Sequence, residues 1–117
     1  MQDFKKLKIW TQSKELTISI YKVTKTFPRE EIFGLTSQIR RASISIAGNI
    51  AEGSGRFTPK DFSNFVTIAI GSLSEVECYL IISQDLQYID NDQFKLLDEQ
   101  IDHLKRMLIS FKSKLNT

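Results

Sequence analysis

Residues 94–115 read FKLLDEQIDHLKRMLISFKSKL, and the spacing of the apolar side chains in this stretch decides the fold. Phe94, Leu97, Ile101, Leu104, Leu108, Phe111 and Leu115 follow one another in steps of three and four, which gathers them on one face of an α-helix. Lys95, Glu99, Asp102 and Arg106 fall on the opposite face, with opposite charges four apart. Asp90, with Gln93 three residues on, reads as a capping box that opens the helix. An amphipathic helix over about 91–115 follows.

Working back from it, the same period recurs three times. Phe62, Val66, Ala69, Leu73, Val76 and Leu80 mark a helix over about 59–87. Thr58 is placed to cap it, Pro59 stands at its first position, and Asp61 suits the helix dipole. Ile32, Leu35, Ile39, Ala42, Ile46 and Ile50 mark one over about 30–52, and Ile9, Leu16, Ile20, Val23 and Phe27 one over about 4–26. The breaks between them are Phe27-Pro28, the loop Gly53-Ser54-Gly55 ahead of Thr58-Pro59, and the polar stretch 88–92. Helices of about 20 residues are roughly 30 Å long. Short connections force sequential helices to run antiparallel, so the expected fold is all-α, an up-down-up-down four-helix bundle.

A chain of 117 residues suits one domain, residues 1–117, and 41% hydrophobic residues suffice for a core without staples. Cys78 is the only cysteine, which excludes an internal disulfide and points to a reducing, cytoplasmic setting. The first residues lack the apolar region of a signal peptide, and no stretch approaches about 18 uninterrupted apolar residues. Export and membrane insertion are therefore not expected.

The outward faces carry more information than the core. Opposite its apolar stripe the third helix presents Asn64, Ile68, Gly71, Glu75, Cys78 and Ile82, with Ile70 and Ile81 nearby. The second presents Gly34, Ser37, Arg41, Ile44, Ser45 and Gly48. Glycine inside a helix costs about 0.5–1 kcal/mol relative to alanine. A second buried surface between subunits would offset that cost; easier packing inside a crowded monomer is the alternative.

Charge is uneven along the chain. Residues 1–60 hold 11 Lys/Arg against 5 Asp/Glu, and residues 61–117 hold 5 against 9, so the halves carry +6 and −4. Lys14, Lys22 and Lys25 lie opposite the first helix's stripe, Arg29, Arg40, Arg41, Arg56 and Lys60 follow, and Lys105, Arg106, Lys112 and Lys114 close the chain. In an antiparallel bundle the fourth helix can lie beside the first, and such a patch could hold phosphates. A merely solvating surface is the plainer reading for a chain of net charge +2.

Catalysis finds little to work with. His103 is the only histidine and reads as a surface or boundary residue, whereas zinc sites and nucleophilic triads draw on more such groups. Cys78 reads as a packed thiol, and Glu75 and Glu77, two apart on a helix, diverge. No enzyme, metal or cofactor is expected.

Phe33-Gly34-Leu35-Thr36-Ser37-Gln38-Ile39-Arg40-Arg41-Ala42, then Asn49-Ile50-Ala51-Glu52-Gly53 with Arg56, resemble the 23S rRNA intervening-sequence protein family. Leu7-Lys8-Ile9-Trp10 and Gly71-Ser72-Leu73-Ser74-Glu75 extend the resemblance over nearly the whole chain. Relatives of that family include the accessory protein of diversity-generating retroelements, which works with a reverse transcriptase and binds nucleic acid. The resemblance implies a four-helix bundle assembled as a homopentameric ring. Two positions depart from the pattern. Ala47 stands where the family often has proline, which softens any kink, and Ile70 stands where a basic residue is common, which weakens a nucleic-acid role on that face.

These readings set the expectations. Lys14, Lys22, Lys25, Arg40, Arg56 and Lys60 are candidate contacts to RNA or DNA. Gly34, Ser37, Arg41, Ser45, Gly48, Glu52, Ile68, Gly71, Glu75 and Ile82 are candidates for a subunit interface, with polar pairs locking helices or subunits. A partner protein seated on the same apolar faces is the rival to nucleic acid.

Overall fold

The computed structural model describes residues 1–117 as four α-helices and no strand. They are α1 (Lys8–Thr24), α2 (Leu35–Ser54), α3 (Pro59–Asp85) and α4 (Asn91–Leu115), with single 3-10 turns at Phe4–Lys6 and Arg29–Glu31. The expected caps form. Thr58 Oγ1 accepts from the Asp61 amide at 3.1 Å. Asp90 Oδ1 accepts from the Gln93 amide at 2.7 Å while Gln93 Oε1 accepts from the Asp90 amide at 3.1 Å. At the other end of α3, Gln87 takes the left-handed conformation with φ 63° and Tyr88 N–H reaches back to Ser83 O at 2.9 Å, which stops the helix.

Cross-links fix the direction of each helix. Gln2 N–H bonds Ser54 O near the start of α1, and Arg40 Nε bonds Thr24 Oγ1 at its end, so α1 and α2 are antiparallel. Ser45 pairs with Ser72 across α2 and α3 at 2.9 Å, and Gly53 near the end of α2 lies against Phe62 and Phe65 near the start of α3, so these two are antiparallel as well. Lys105 meets Glu77 at 3.2 Å and Gln84 meets Asn91 at 3.1 Å across α3 and α4. The bundle is therefore the up-down-up-down arrangement that short connections dictate. It measures 43 × 24 × 20 Å.

The core sits along the common axis. Every stripe residue of α3, from Phe62 to Leu80, is buried, as are Ile9, Leu16, Ile20, Ile39, Ile46, Ile50, Leu97, Ile101, Leu104 and Leu108. Buried hydroxyls accompany them. Ser13, Thr24 and Ser83 each donate to the carbonyl four residues back, and no buried side-chain polar atom lacks a partner.

Several expectations need correction. α2 begins at Leu35, not near residue 30, and Ile32, expected in its stripe, is 55% exposed. Pro28 is extended and the chain makes a 3-10 turn before Glu31 bends its carboxylate back to accept the Leu35 amide at 3.1 Å. That carboxylate occupies the space beside Gly34, where a Cβ would stand 2.7 Å from Glu31 Oε1. Gly34 is thus the residue before the helix, and a Cβ there would push the Glu31 carboxylate away from the Leu35 amide it caps. Gly53 and Ser54, expected in a loop, are the buried last turn of α2. Cys78 is exposed, not packed, because it lies on the outer face of α3. By length and composition alone α3 is long and apolar enough to cross a membrane, a test that the core helix of a bundle also meets. Its apolarity has two sources: the core stripe, and the exposed Ile68, Ile81 and Ile82 outside it.

Candidate nucleic-acid and assembly surfaces

Folding converts the charge difference along the chain into one between the ends of the bundle. Cut at the helix midpoints, residues 1–16, 45–72 and 104–117 make one end, with 10 Lys/Arg against 4 Asp/Glu. Residues 17–44 and 73–103 make the other, with 6 against 10. The ends carry +6 and −4, because the first turns of α1 and the last turns of α4 are both lysine-rich and the antiparallel topology sets them side by side.

The six candidate phosphate contacts divide between these ends. Lys14, Arg56 and Lys60 belong to the basic one, and all three are exposed. Lys14 Nζ lies 5.2 Å from the centre of the Trp10 ring, and Arg56 covers the Phe65 ring at 4.8 Å while pairing with Glu52 at 3.1 Å. Exposure leaves that pair worth little. Lys22, Lys25 and Arg40 belong to the acidic end. Arg40 is engaged within the subunit, donating to Thr24 Oγ1 at 2.9 Å and lying over the Tyr21 ring at 4.7 Å, so it clamps α1 to α2.

A groove at the basic end, between α1 and α4, gathers cations not among those six. It is an open groove of about 510 Å³, with the exposed Lys8, His103, Arg106 and Lys114 on its rim and the half-buried Met107 and Phe111 in its floor. Arg106 also pairs with Asp102 at 2.9 Å, whereas Lys8 and Lys114 make no ion pair. The signal was available: His103, Arg106, Ser110 and Lys114 recur at helical spacing on one flank of α4. His103 is exposed, as its flank position implies.

The ten interface candidates do not share one surface. Arg41, Ser45 and Glu75 converge on a cleft of about 270 Å³ between α2 and α3, floored by the Ser45–Ser72 pair and tied by Asn49 Nδ2 to Ser45 Oγ at 2.9 Å. Arg41 and Glu75 face this cleft without forming an ion pair. Tyr79 donates to Glu75 Oε2 at 3.4 Å, and its partial burial, then the Glu75 charge, lift its phenol above the ordinary 10.0. Ser37 is half-buried on the outer side of α2, and Glu52 is held by Arg56. Gly48 lies instead on an apolar groove of about 340 Å³ between α1 and α2, beside Trp10, Ile18, Ile44 and Ala47. A Cβ on Gly48 or on Gly71 would meet nothing within 4 Å, so crowding inside the subunit does not explain these two glycines. Gly71, Ile68 and Ile82 are exposed on α3, the isoleucines by 51% and 42%.

Chemically the surface offers cations, apolar grooves and one polar cleft. No three His, Cys, Asp or Glu side chains are gathered as a metal site requires. Glu75 and Glu77 diverge, one to the α2 cleft and one to Lys105 on α4.

No curated protein matches the chain. A crystal structure of a protein of unknown function from the S23 ribosomal protein family of Bacteroides thetaiotaomicron VPI-5482 is similar, with a TM-score of 0.82 and 26% identity. The match covers 89% of this chain and 97% of that one, so the fold is shared over most of the bundle. Residues 5–110 match the family described as 23S rRNA-intervening sequence protein, and the chain belongs to that family.

Proposed function

We propose that the chain is a non-catalytic scaffold that assembles with copies of itself, as the pentamer that the family resemblance implies, and binds RNA through its basic end. The observation that carries the RNA part is the end-to-end charge separation, +6 against −4 over a 43 Å bundle. A chain with net charge +2 has a weak overall field, but cations gathered at one end hold phosphates and steer an anionic partner. Lys14, Arg56 and Lys60 are the first candidates to touch RNA. Symmetric assembly would multiply the patch. The test is fluorescence anisotropy with a structured RNA at low and moderate salt. Phosphate contacts predict a steep loss of affinity as salt rises; no binding at low salt removes the proposal.

A second reading has its own support in the exposed Ile68, Ile81 and Ile82 of α3. In it these residues seat a different protein, and RNA is not touched. Purification from the native cell with and without nuclease separates the two, since a nuclease-resistant protein partner favours the adaptor.

A further inference from the structure

We propose that the α1/α4 groove at the basic end is a seat for single-stranded nucleic acid, taking backbone phosphate on its rim and base on its floor. This rests on the RNA reading above and names its site. Lys8, Arg106 and Lys114 bring three cations to one opening, and His103 adds a ring nitrogen to the same rim. No carboxylate lines the groove; the nearby Asp102 is held by Arg106 at 2.9 Å. Lys8 and Lys114, with no acidic partner in the subunit, are free to neutralise phosphates.

The floor decides which nucleic acid fits. Met107 and Phe111 are half-buried and apolar, and Phe111 is held edge-on against Phe62 with ring centres 5.2 Å apart. A duplex presents phosphates and hides the faces of its bases, so it would use the rim and leave the floor unused. A single strand can lay a base against such a surface while its backbone follows the cations. The groove is open to solvent, and its volume of about 510 Å³ leaves room for a nucleotide unit to lie along it.

The test uses the full chain, a short fluorescein-labelled oligoadenylate, and an RNA duplex of equal length. Wild type is compared with the Lys8→Ala/Lys114→Ala double variant and with Lys95→Ala, which removes one exposed cation from the acidic end. Wild type should prefer the single strand. The double variant should lose tenfold or more in affinity, and its log–log salt slope should flatten by about 1.4, at about 0.7 per lost phosphate contact. Lys95→Ala should change neither. Equal behaviour of the two variants overturns the groove while leaving RNA binding intact. Equal affinity for duplex and single strand overturns the role of the floor. Displacement of the oligonucleotide by polyglutamate at equal charge concentration would assign the rim to an acidic protein segment instead. Failure of wild type to bind either RNA at low salt is a failure of the RNA reading itself.

Discussion

Glu31 shows what a single side chain contributes that its neighbours in sequence do not reveal. One carboxylate oxygen caps α2 through the Leu35 amide, and the other accepts the Tyr88 hydroxyl at 2.9 Å from 57 positions away. The contact ties the turn after α3 to the start of α2. It also raises the Tyr88 phenol above its ordinary 10.0, first through the hydrogen bond to Glu31, then through burial, then through the Glu31 charge. A phenol raised in the folded state adds stability that is complete below the unfolded value near 10 and is lost as pH rises through the higher folded value. Wild type should therefore destabilise on passing above pH 10.0, and Glu31→Gln should bring the Tyr88 ionisation back down toward that value. Ultraviolet titration of the tyrosines and urea midpoints across alkaline pH measure both, and an unchanged alkaline profile in Tyr88→Phe would remove Tyr88 from the account. Periodicity could not have found this contact: it placed Ile32 in a helical stripe because local spacing carries no record of a partner 57 positions downstream.

At the scale of elements, α3 and α4 were the most legible, since both are long, both carry a complete apolar stripe, and both open on a side-chain cap. The boundaries of α2 were not, for opposite reasons at its two ends. Its start depends on Glu31, and its end depends on how closely α3 returns. Gly53 reads in sequence as a breaker, yet it is helical and buried, and a Cβ there would lie 2.7 Å from both Phe62 Cδ1 and Phe65 Cβ. The glycine permits α3 to fold back against the last turn of α2. Gly53→Ala would gain about 1 kcal/mol in helix propensity, but overpacking costs about 1–3 kcal/mol. Phe62 is anchored in the core and the Phe65 atom in the way is its Cβ, fixed to the backbone, so the clash should win and the variant should unfold at lower urea than wild type. A variant as stable as wild type would mean that the two helices part at little cost.

For the whole molecule, the antiparallel fold was legible and its consequences were only partly drawn. Summing charge over chain halves hid the separation by ends, which appears once helix halves are grouped by the topology that the short connections already imply. The outer faces divide in the same way. The small residues of α2 face two different grooves, because neighbours on both sides, and not α2 alone, define each surface. That leaves Gly48, Ile44 and Ile18 as an apolar surface on the α1/α2 side, and Ile68 and Ile82 as an unlike one on α3. A ring needs a heterologous contact of this kind, one surface meeting a different one on the next copy. Gly48→Leu tests the proposed assembly directly. Nothing within the subunit lies within 4 Å of a Cβ at Gly48, so the leucine would project outward and leave the core and the helices intact. It would hold the neighbouring copy's α3 away from the groove beside Ile18 and Ile44. Circular dichroism should show an unchanged helical protein, while light scattering should show an assembled wild type and a dissociated variant. A monomeric wild type would end the assembly proposal, and a variant that still forms the ring would place its interface elsewhere.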